Sequence, residues 1–329
     1  MHTILIVGFG SIGKRHLGNI LANYNAKIVI CTKRKDLAKL EKKGIIIVDS
    51  VSKALLHKPN IAFITNETSH HIQTALKLAN YGLDIFIEKP LSNSMHGVKK
   101  LKKVIDKKKL IVQIGCDHRF HPCIKKIKNV LNQGKLGRII SVQVESSSFL
   151  PDWHPYEDYR KGYAARKDLG GGIALTMIHE LDYLCWFFGD VKSIFSITGK
   201  YSDLETTADD LSIMSLIFKN NVIAELHLDY FERPAVKSCK IKGVNGTLYW
   251  DSTSNEVKIF YINKKQWKTV LKVNDFELNI MYVKELDYFL KCVKNKNQTF
   301  NDINDGIKTL QVVLNAKKST RSRKMIDLK

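Results

Sequence analysis

The segment Gly8-Phe9-Gly10-Ser11-Ile12-Gly13 is a complete GxGxxG directly after the strand-like run Thr3-Ile4-Leu5-Ile6-Val7. There the first glycine permits a tight turn and the second lets backbone approach a pyrophosphate. The third lets a helix pack closely on a strand, and the helix N-terminus supplies N–H donors. Gly8, Gly10, Ser11, Ile12 and Gly13 are therefore candidate contacts for a dinucleotide. The second strand ends at Ile30-Cys31-Thr32-Lys33-Arg34. A site built for NAD(H) carries an acidic residue here to bind the ribose hydroxyls. Instead, Thr32 can donate to a 2′-phosphate, and Lys33 and Arg34 can neutralise it. The pattern favours NADP(H), with NAD(H) as the second choice.

Three further stretches carry chemistry-bearing side chains. Phe86-Ile87-Glu88-Lys89-Pro90-Leu91 places an ammonium at a strand end. Taken alone, Glu88-Lys89 reads as an exposed ion pair at a strand end; a partly desolvated lysine there can instead polarise or protonate an oxygen while hydride moves at the attached carbon. Gly170-Gly171-Gly172 opens a second stretch, whose glycines suit close backbone approach at a helix start. Along the helix expected next, Leu175, Ile178, Leu181, Cys185 and Phe188 form an apolar stripe. Thr176, His179, Asp182 and Trp186 form a neighbouring stripe that a cleft can see. The third stretch runs from Pro151 through Trp153, His154, Tyr156 and Tyr159 to Tyr163, Arg166 and Lys167. Aromatic faces pack on sugar rings and charged tips bind hydroxyls or phosphates, which makes His154, Tyr163 and Lys167 candidate substrate contacts.

The elements that must position these residues fall into two patterns. Residues 2–8, 26–32, 60–64, 84–87 and 111–115 are near-continuous apolar strands. Helical stripes lie between them, such as Ile12, Leu17, Ile20 and Leu21, or Ile72, Ala75, Leu76 and Ala79. That alternation is an α/β design, a doubly wound parallel sheet covered on both faces, the Rossmann arrangement. From about residue 139 the pattern changes to longer alternating strands at 191–199, 207–218, 221–230, 236–242, 246–250 and 256–262. Asn220-Asn221 reads as a hairpin turn. This is an α+β domain with a large, mostly antiparallel open sheet, closed by helices near 277–294 and 303–318. The division is expected at 1–120 and 121–329, with the closing helices able to return to the first domain.

With the GxGxxG domain, the Thr65-Asn66-Glu67-Thr68-Ser69-His70-His71 loop, Glu88-Lys89-Pro90 and the triple glycine before His179, the chain resembles the Gfo/Idh/MocA oxidoreductases over essentially its whole length. The resemblance extends to a branch associated with surface-polysaccharide or nucleotide-sugar genes. It implies that Lys89 lies beside a nicotinamide, that its bond to Pro90 is cis, and that His179 is the catalytic acid/base. It also implies cofactor contacts from Thr65, Asn66, His71 and Glu88, and a cleft position for Arg119. Asp182 either orients His179 or caps a polar patch. Many members carry Asp four residues before the histidine, where this chain has Leu175 followed by Thr176, so Lys89 and His179 stand as the catalytic pair. The implied reaction is hydride transfer between NADP(H) and a carbon of a sugar or sugar derivative, phosphorylated or nucleotide-linked. The same scaffold also serves internal cofactor recycling with net dehydration or epimerisation, or a cofactor-binding regulator.

Charge and cysteine usage narrow the remaining classes. The 329 residues carry 53 Lys and Arg against 32 Asp and Glu, a formal net charge of +21. The lysines are spread over helix faces, with no arginine-rich tail or Lys/aromatic stripe. This favours a solvated basic surface, and a phosphorylated ligand over nucleic acid. The six cysteines form no CxxC pair. His118 and His121 have no acidic or cysteine partner at ligand spacing, so no metal is expected. No apolar run approaches the roughly 20 residues that span a bilayer. The N-terminus opens on a strand rather than a secretory signal, which implies a cytoplasmic protein without membrane partners. An open sheet with apolar residues on its free face is costly in water, so a homodimer or homotetramer is expected.

Overall fold

The computed structural model describes residues 2–328. Its first half runs β1 (His2–Val7), α1 (Ser11–Asn23), β2 (Ala26–Cys31), α2 (Ala38–Glu41), β3 (Ile46–Val48), α3 (Val51–Leu55), β4 (Ile61–Ile64), α4 (His71–Tyr81), β5 (Asp84–Glu88), α5 (Val98–Lys108) and β6 (Val112–Gly115). These six strands pair in parallel in the order β3-β2-β1-β4-β5-β6. Ile61–Ile64 and Ile85–Ile87 are wholly buried, as central strands covered on both faces must be. On α1, Leu17 and Ile20 face the sheet while Leu21 is half exposed. Helix α4 stops at Gly82, whose φ of +86° supplies the left-handed cap. On α5 only Val98, Leu101 and Ile105 turn inward, and its lysines are solvated along the outer face.

The chain continues with α6 (Pro122–Asn132), β7 (Ile139–Ser147), α7 (Ile173–Thr176), α8 (His179–Phe188), β8 (Val191–Gly199), β9 (Leu211–Phe218), β10 (Ile223–Asp229), β11 (Val236–Gly243), β12 (Gly246–Asp251), β13 (Glu256–Tyr261), β14 (Gln266–Lys272), α9 (Asn279–Asn295), α10 (Ile303–Ser322) and β15 (Ile326–Asp327). A nine-stranded sheet forms in the order β14-β13-β12-β11-β7-β10-β9-β8-β15. Only the β7/β10 pair is parallel. One face is buried by alternate residues such as Met214, Leu216, Ala224, Leu226 and Leu228.

Two compact units result. One comprises residues 2–116 and 279–307, the other 117–278 and 308–328. The sequence reading put the division at 120/121. In the structure the second unit opens at Asp117, because the 3-10 turn Asp117–Phe120 packs with α6 and α8. Residues 279–307 join the first unit because Leu286, Phe289, Leu290 and Val293 of α9 enter its core beside Phe63 and Phe86. The helix expected to carry both stripes, from Leu175 to Phe188, is interrupted: Met177 leaves helical geometry at φ −95°, ψ 43°, and α8 starts afresh at His179. Among the described residues, no helix is long and apolar enough to cross a membrane.

Candidate active site

In the first unit, the glycine turn, the loop after β4 and Lys89 all lie at the carboxyl edge of the parallel sheet. Gly8 has φ +93°, and a Cβ there would sit 2.5 Å from the Asn66 nitrogen. A Cβ on Gly13 would sit 2.5 Å from the Gly8 carbonyl oxygen and 2.9 Å from Thr65 Oγ1. Both glycines are thus required by the chain's own packing. Gly10 differs: its Cβ would meet nothing within 4 Å. As the side-chain-less N-cap of α1, Gly10 leaves the first amides and the space in front of them to a ligand. Ser11 is exposed and Ile12 half-buried beside it. Residues and space here fit a dinucleotide pyrophosphate.

The loop contacts turn inward more than the resemblance implied. The Thr65 hydroxyl donates to the carbonyls of Gly8 (2.7 Å) and Val7 (3.1 Å), so it ties the end of β1 to β4. Asn66 donates through Nδ2 to Thr74 Oγ1. His71 is buried, with the Pro90 and Asn66 carbonyl oxygens each 2.9 Å from a ring nitrogen. One nitrogen donates in the neutral ring and both do in the imidazolium; burial pushes the pKa below the usual histidine value. His71 therefore staples the β4 loop to the Lys89-Pro90 segment, whose peptide bond is cis.

Glu88 is committed as well. Its Oε1 lies 2.7 Å from Nε2 of the fully buried His16, and its Oε2 accepts the Lys89 backbone N–H at 3.2 Å. The His16 ring packs against Phe63, Phe86 and Tyr282. This buried, hydrogen-bonded pair holds the backbone from which half-buried Lys89 projects. After β2, Thr32 Oγ1 accepts the Arg34 N–H at 3.3 Å, and Lys33 and Arg34 are exposed.

In the second unit the polar residues sort differently from the sequence stripes. Arg119 Nε and Nη2 donate to the two Asp182 oxygens at 2.8 and 2.9 Å, and both residues are buried. This two-pronged pair joins the 3-10 turn to α8 and engages both Asp182 oxygens with Arg119. Thr176 is buried at the end of α7, its hydroxyl paired with the buried Tyr230 phenol. The break at Met177 puts Thr176 and His179 on separate helices, α7 and α8.

A carboxylate beside His179 is Asp117, which the sequence reading passed over. Its Oδ1 is 3.3 Å from His179 Nδ1. His118 stacks on His179 with ring centroids 4.3 Å apart and planes 27° from parallel. Glu180, also buried, accepts from Lys237 Nζ at 3.0 Å and lies 3.8 Å from His118 Nδ1. Asp117, His118 and His179 present ligand atoms within 4.8 Å of one another. The acidic partner missing from the sequence argument about metals is thus Asp117, and the second histidine is His179 rather than His121. A metal bonds an imidazole nitrogen in the plane of its ring, and two nearly parallel stacked rings do not both direct such a lone pair at one point. His121 is engaged elsewhere, accepting the Cys123 N–H through Nδ1 to cap α6.

The aromatic-rich segment forms a loop of 3-10 turns between β7 and α7. Tyr163 and Lys167 are exposed, and His154 Nδ1 lies 3.1 Å from the Tyr156 hydroxyl. The triple glycine explains its course. A Cβ on Gly171 would strike the Tyr163 carbonyl oxygen at 2.0 Å, and one on Gly172 the Asp209 carboxylate at 2.6 Å. The close approach at this helix start is made by the chain's own loop. All six cysteines are free thiols, five of them buried.

Residues 2–116 match an oxidoreductase family with an NAD-binding Rossmann fold, and residues 128–328 match the family's C-terminal α/β domain. The chain therefore belongs to the Gfo/Idh/MocA family of oxidoreductases. It is 28% identical to the uncharacterized oxidoreductase YrbE of Bacillus subtilis over 67% of this chain, and spans 64% of that relative's length. To myo-inositol 2-dehydrogenase of Thermotoga maritima it is 24% identical over 98% of this chain and 97% of that one. The WlbA dehydrogenase of Bordetella pertussis, solved with NADH and UDP-GlcNAcA, superposes with a TM-score of 0.84 at 21% identity, covering 100% of this chain and 98% of that one. That likeness is one of fold.

Proposed function

We propose that this chain transfers hydride between NADP(H) and a carbon of a sugar or sugar derivative, phosphorylated or nucleotide-linked, with Lys89 and His179 moving the proton. The observation that carries the reading is the Glu88–Lys89 turn. Buried His16 and the Lys89 amide fix the Glu88 carboxylate, so an ammonium projects from β5 on the same sheet edge as the glycine turn after β1. That edge is where open α/β sheets bind ligands. The bound nicotinamide supplies the hydride acceptor or donor. In the oxidative direction a bound nicotinamide would accept the hydride, and Lys89 and His179 are the residues proposed to handle the hydroxyl proton. Lys89 polarises the oxygen as charge develops, and His179 exchanges the proton. Relatives named for inositol and for a UDP-linked sugar support a polyhydroxylated substrate. His154, Tyr163 and Lys167 are its proposed contacts, on the exposed loop before α7.

Choice of NADP(H) rests on Thr32-Lys33-Arg34, two exposed cations and a hydroxyl where an acid would select NAD(H). Fluorescence titration with NADPH and NADH in parallel tests it. The expected result is NADPH binding at least about tenfold tighter, a gap erased in the Lys33→Ala/Arg34→Ala double variant. Equal binding in the wild type would overturn the preference and send the substrate screen towards sugar oxidation with NAD. Binding of neither would remove the enzyme reading. We further propose a cytoplasmic homo-oligomer that pairs through the open sheet face, with no metal, nucleic acid or membrane partner.

A further inference from the structure

We infer that Thr207 and Asp209 are positioning residues for the loop before α7: from the segment between β8 and β9 they hold its backbone, so that Tyr163 and Lys167 are presented in one arrangement. This rests on the reading of Tyr163 and Lys167 as substrate contacts and names the residues that set them.

Residues 204–210 form no helix or strand, yet they alternate as a strand does. Leu204, Thr206, Ala208 and Asp210 are buried, while Glu205 and Thr207 are exposed and Asp209 is half-buried. The second set meets the loop in chain order. The Glu205 N–H donates to the Tyr159 hydroxyl at 3.1 Å. The Thr207 N–H donates to the Ala165 carbonyl at 2.9 Å, and its Oγ1 accepts the Lys167 N–H at 3.0 Å. The Asp209 carbonyl accepts the Ile173 N–H at 2.8 Å, and its Oδ2 accepts the Ala174 N–H at 3.3 Å. One extended segment therefore holds the loop at three successive points, from Tyr159 to the start of α7.

The three points are not equal. The Glu205 carboxylate meets Arg160 where both side chains are more than half exposed, and water screens that pair. Asp209 is also tied to Lys317 of α10 at 2.7 Å, in a pair largely withdrawn from water. Gly172, with φ +107°, leaves room for this carboxylate over the start of α7. Thr207 grips the residues on either side of Arg166. Its hydroxyl accepts from the Lys167 N–H and donates to the Ala165 carbonyl at 3.3 Å, so both functions of the O–H group are used. The same stretch is bound by the glycines: the Gly171 N–H donates to the Arg166 carbonyl and the Gly172 N–H to the Ala164 carbonyl. A backbone fixed at 164–167 leaves Tyr163 and Lys167 little more than side-chain freedom to lose when a ligand binds. Loss of the Thr207 hydroxyl restores that cost, which falls on binding rather than on the chemical step.

The test labels the full chain with 3-fluorotyrosine and needs no ligand. The Tyr163 19F signal is assigned by its absence in Tyr163→Phe. Thr207→Val keeps the side-chain shape but neither donates nor accepts, and is expected to shift or broaden that signal; Thr207→Ser is expected to restore it. Asp209→Ala should move it as well. A Tyr163 signal in Thr207→Val that coincides with wild type would overturn the inference. Thr207 is exposed, so its variants decide even where Asp209→Ala does not fold. Turnover with the keto-sugar or nucleotide sugar found by screening separates the two readings. KM is expected to rise about fivefold in Thr207→Val with kcat retained, and Thr207→Ser to recover it. A lower kcat at constant KM would overturn the positioning role. An unchanged KM in both Tyr163→Phe and Lys167→Ala would overturn the contact reading alone.

Discussion

His121 shows how one side chain can be structural and still govern behaviour in solution. Its Nδ1 accepts the first free amide of α6, and its ring packs against Trp250 and Phe276. Burial, with Lys237 nearby, pushes its pKa down to about 4 from the ordinary 6.5. A depressed histidine pKa means that the unfolded chain binds the proton first. The stability contributed by the neutral ring is therefore whole above about pH 6.5 and is lost as pH falls towards 4. At pH 5 the loss from this group is about 2 kcal/mol. His71, also pushed down by burial, adds to it in the same direction. Melting from pH 8 to 5 should show a falling Tm. His121→Asn retains a capping acceptor and should flatten the second unit's part of that slope. A slope unchanged in the variant would show that His121 titrates normally.

At the scale of elements, the three glycines of the first turn carry different burdens, and substitution separates them. Gly13→Ala puts a methyl group 2.5 Å from the Gly8 carbonyl, so α1 must shift from β1 and stability should fall by about 1–3 kcal/mol. Gly10→Ala meets open space at an ordinary negative φ, so Tm should hold while NADPH affinity drops about tenfold or more. If Gly10→Ala instead binds NADPH normally, the pyrophosphate does not lie over α1.

The same elements show what a linear reading can and cannot reach. The glycine turn, the apolar strands and the alternating strands of the large sheet obey short-range rules and were legible. Strand β3 is three residues long and offers no period to read. Strand β7 hides because its charged and serine positions mask the alternation of Val142 and Val144. The interruption at Met177 was invisible because the residues on either side keep helical spacing. Contacts between distant residues were the real limit. Arg119 with Asp182, and Asp117 with His179, are each more than sixty residues apart in sequence, so no local pattern links them. A hint did exist: a carboxylate directly beside His118, in a chain whose residue 175 is leucine.

For the molecule as a whole, the unresolved cost lies on the free face of the nine-stranded sheet. Cross-strand register places Ile197 opposite Ile213 and Ile217 opposite Ile223, with Phe195 next along β8. Ile197, Ile213 and Ile223 are 45%, 40% and 49% exposed, well beyond what scattered surface residues require. Glu225 and Gln143 bond to each other on the same face, so the apolar patch has a polar neighbour of the kind found at an interface rim. A second copy of this chain, presenting the same patch about a two-fold axis, would cover both surfaces at once, because an isologous contact needs only self-complementarity. The wild type should therefore sediment as a dimer or larger. Ile197→Lys/Ile213→Lys, which leaves the buried face untouched, should yield folded monomer. The glycine turn lies in the other unit, so NADPH affinity should stay within about twofold in that variant. A wild type that sediments only as monomer at micromolar concentration would leave the exposed isoleucines without a partner of this kind and would end the argument for self-association.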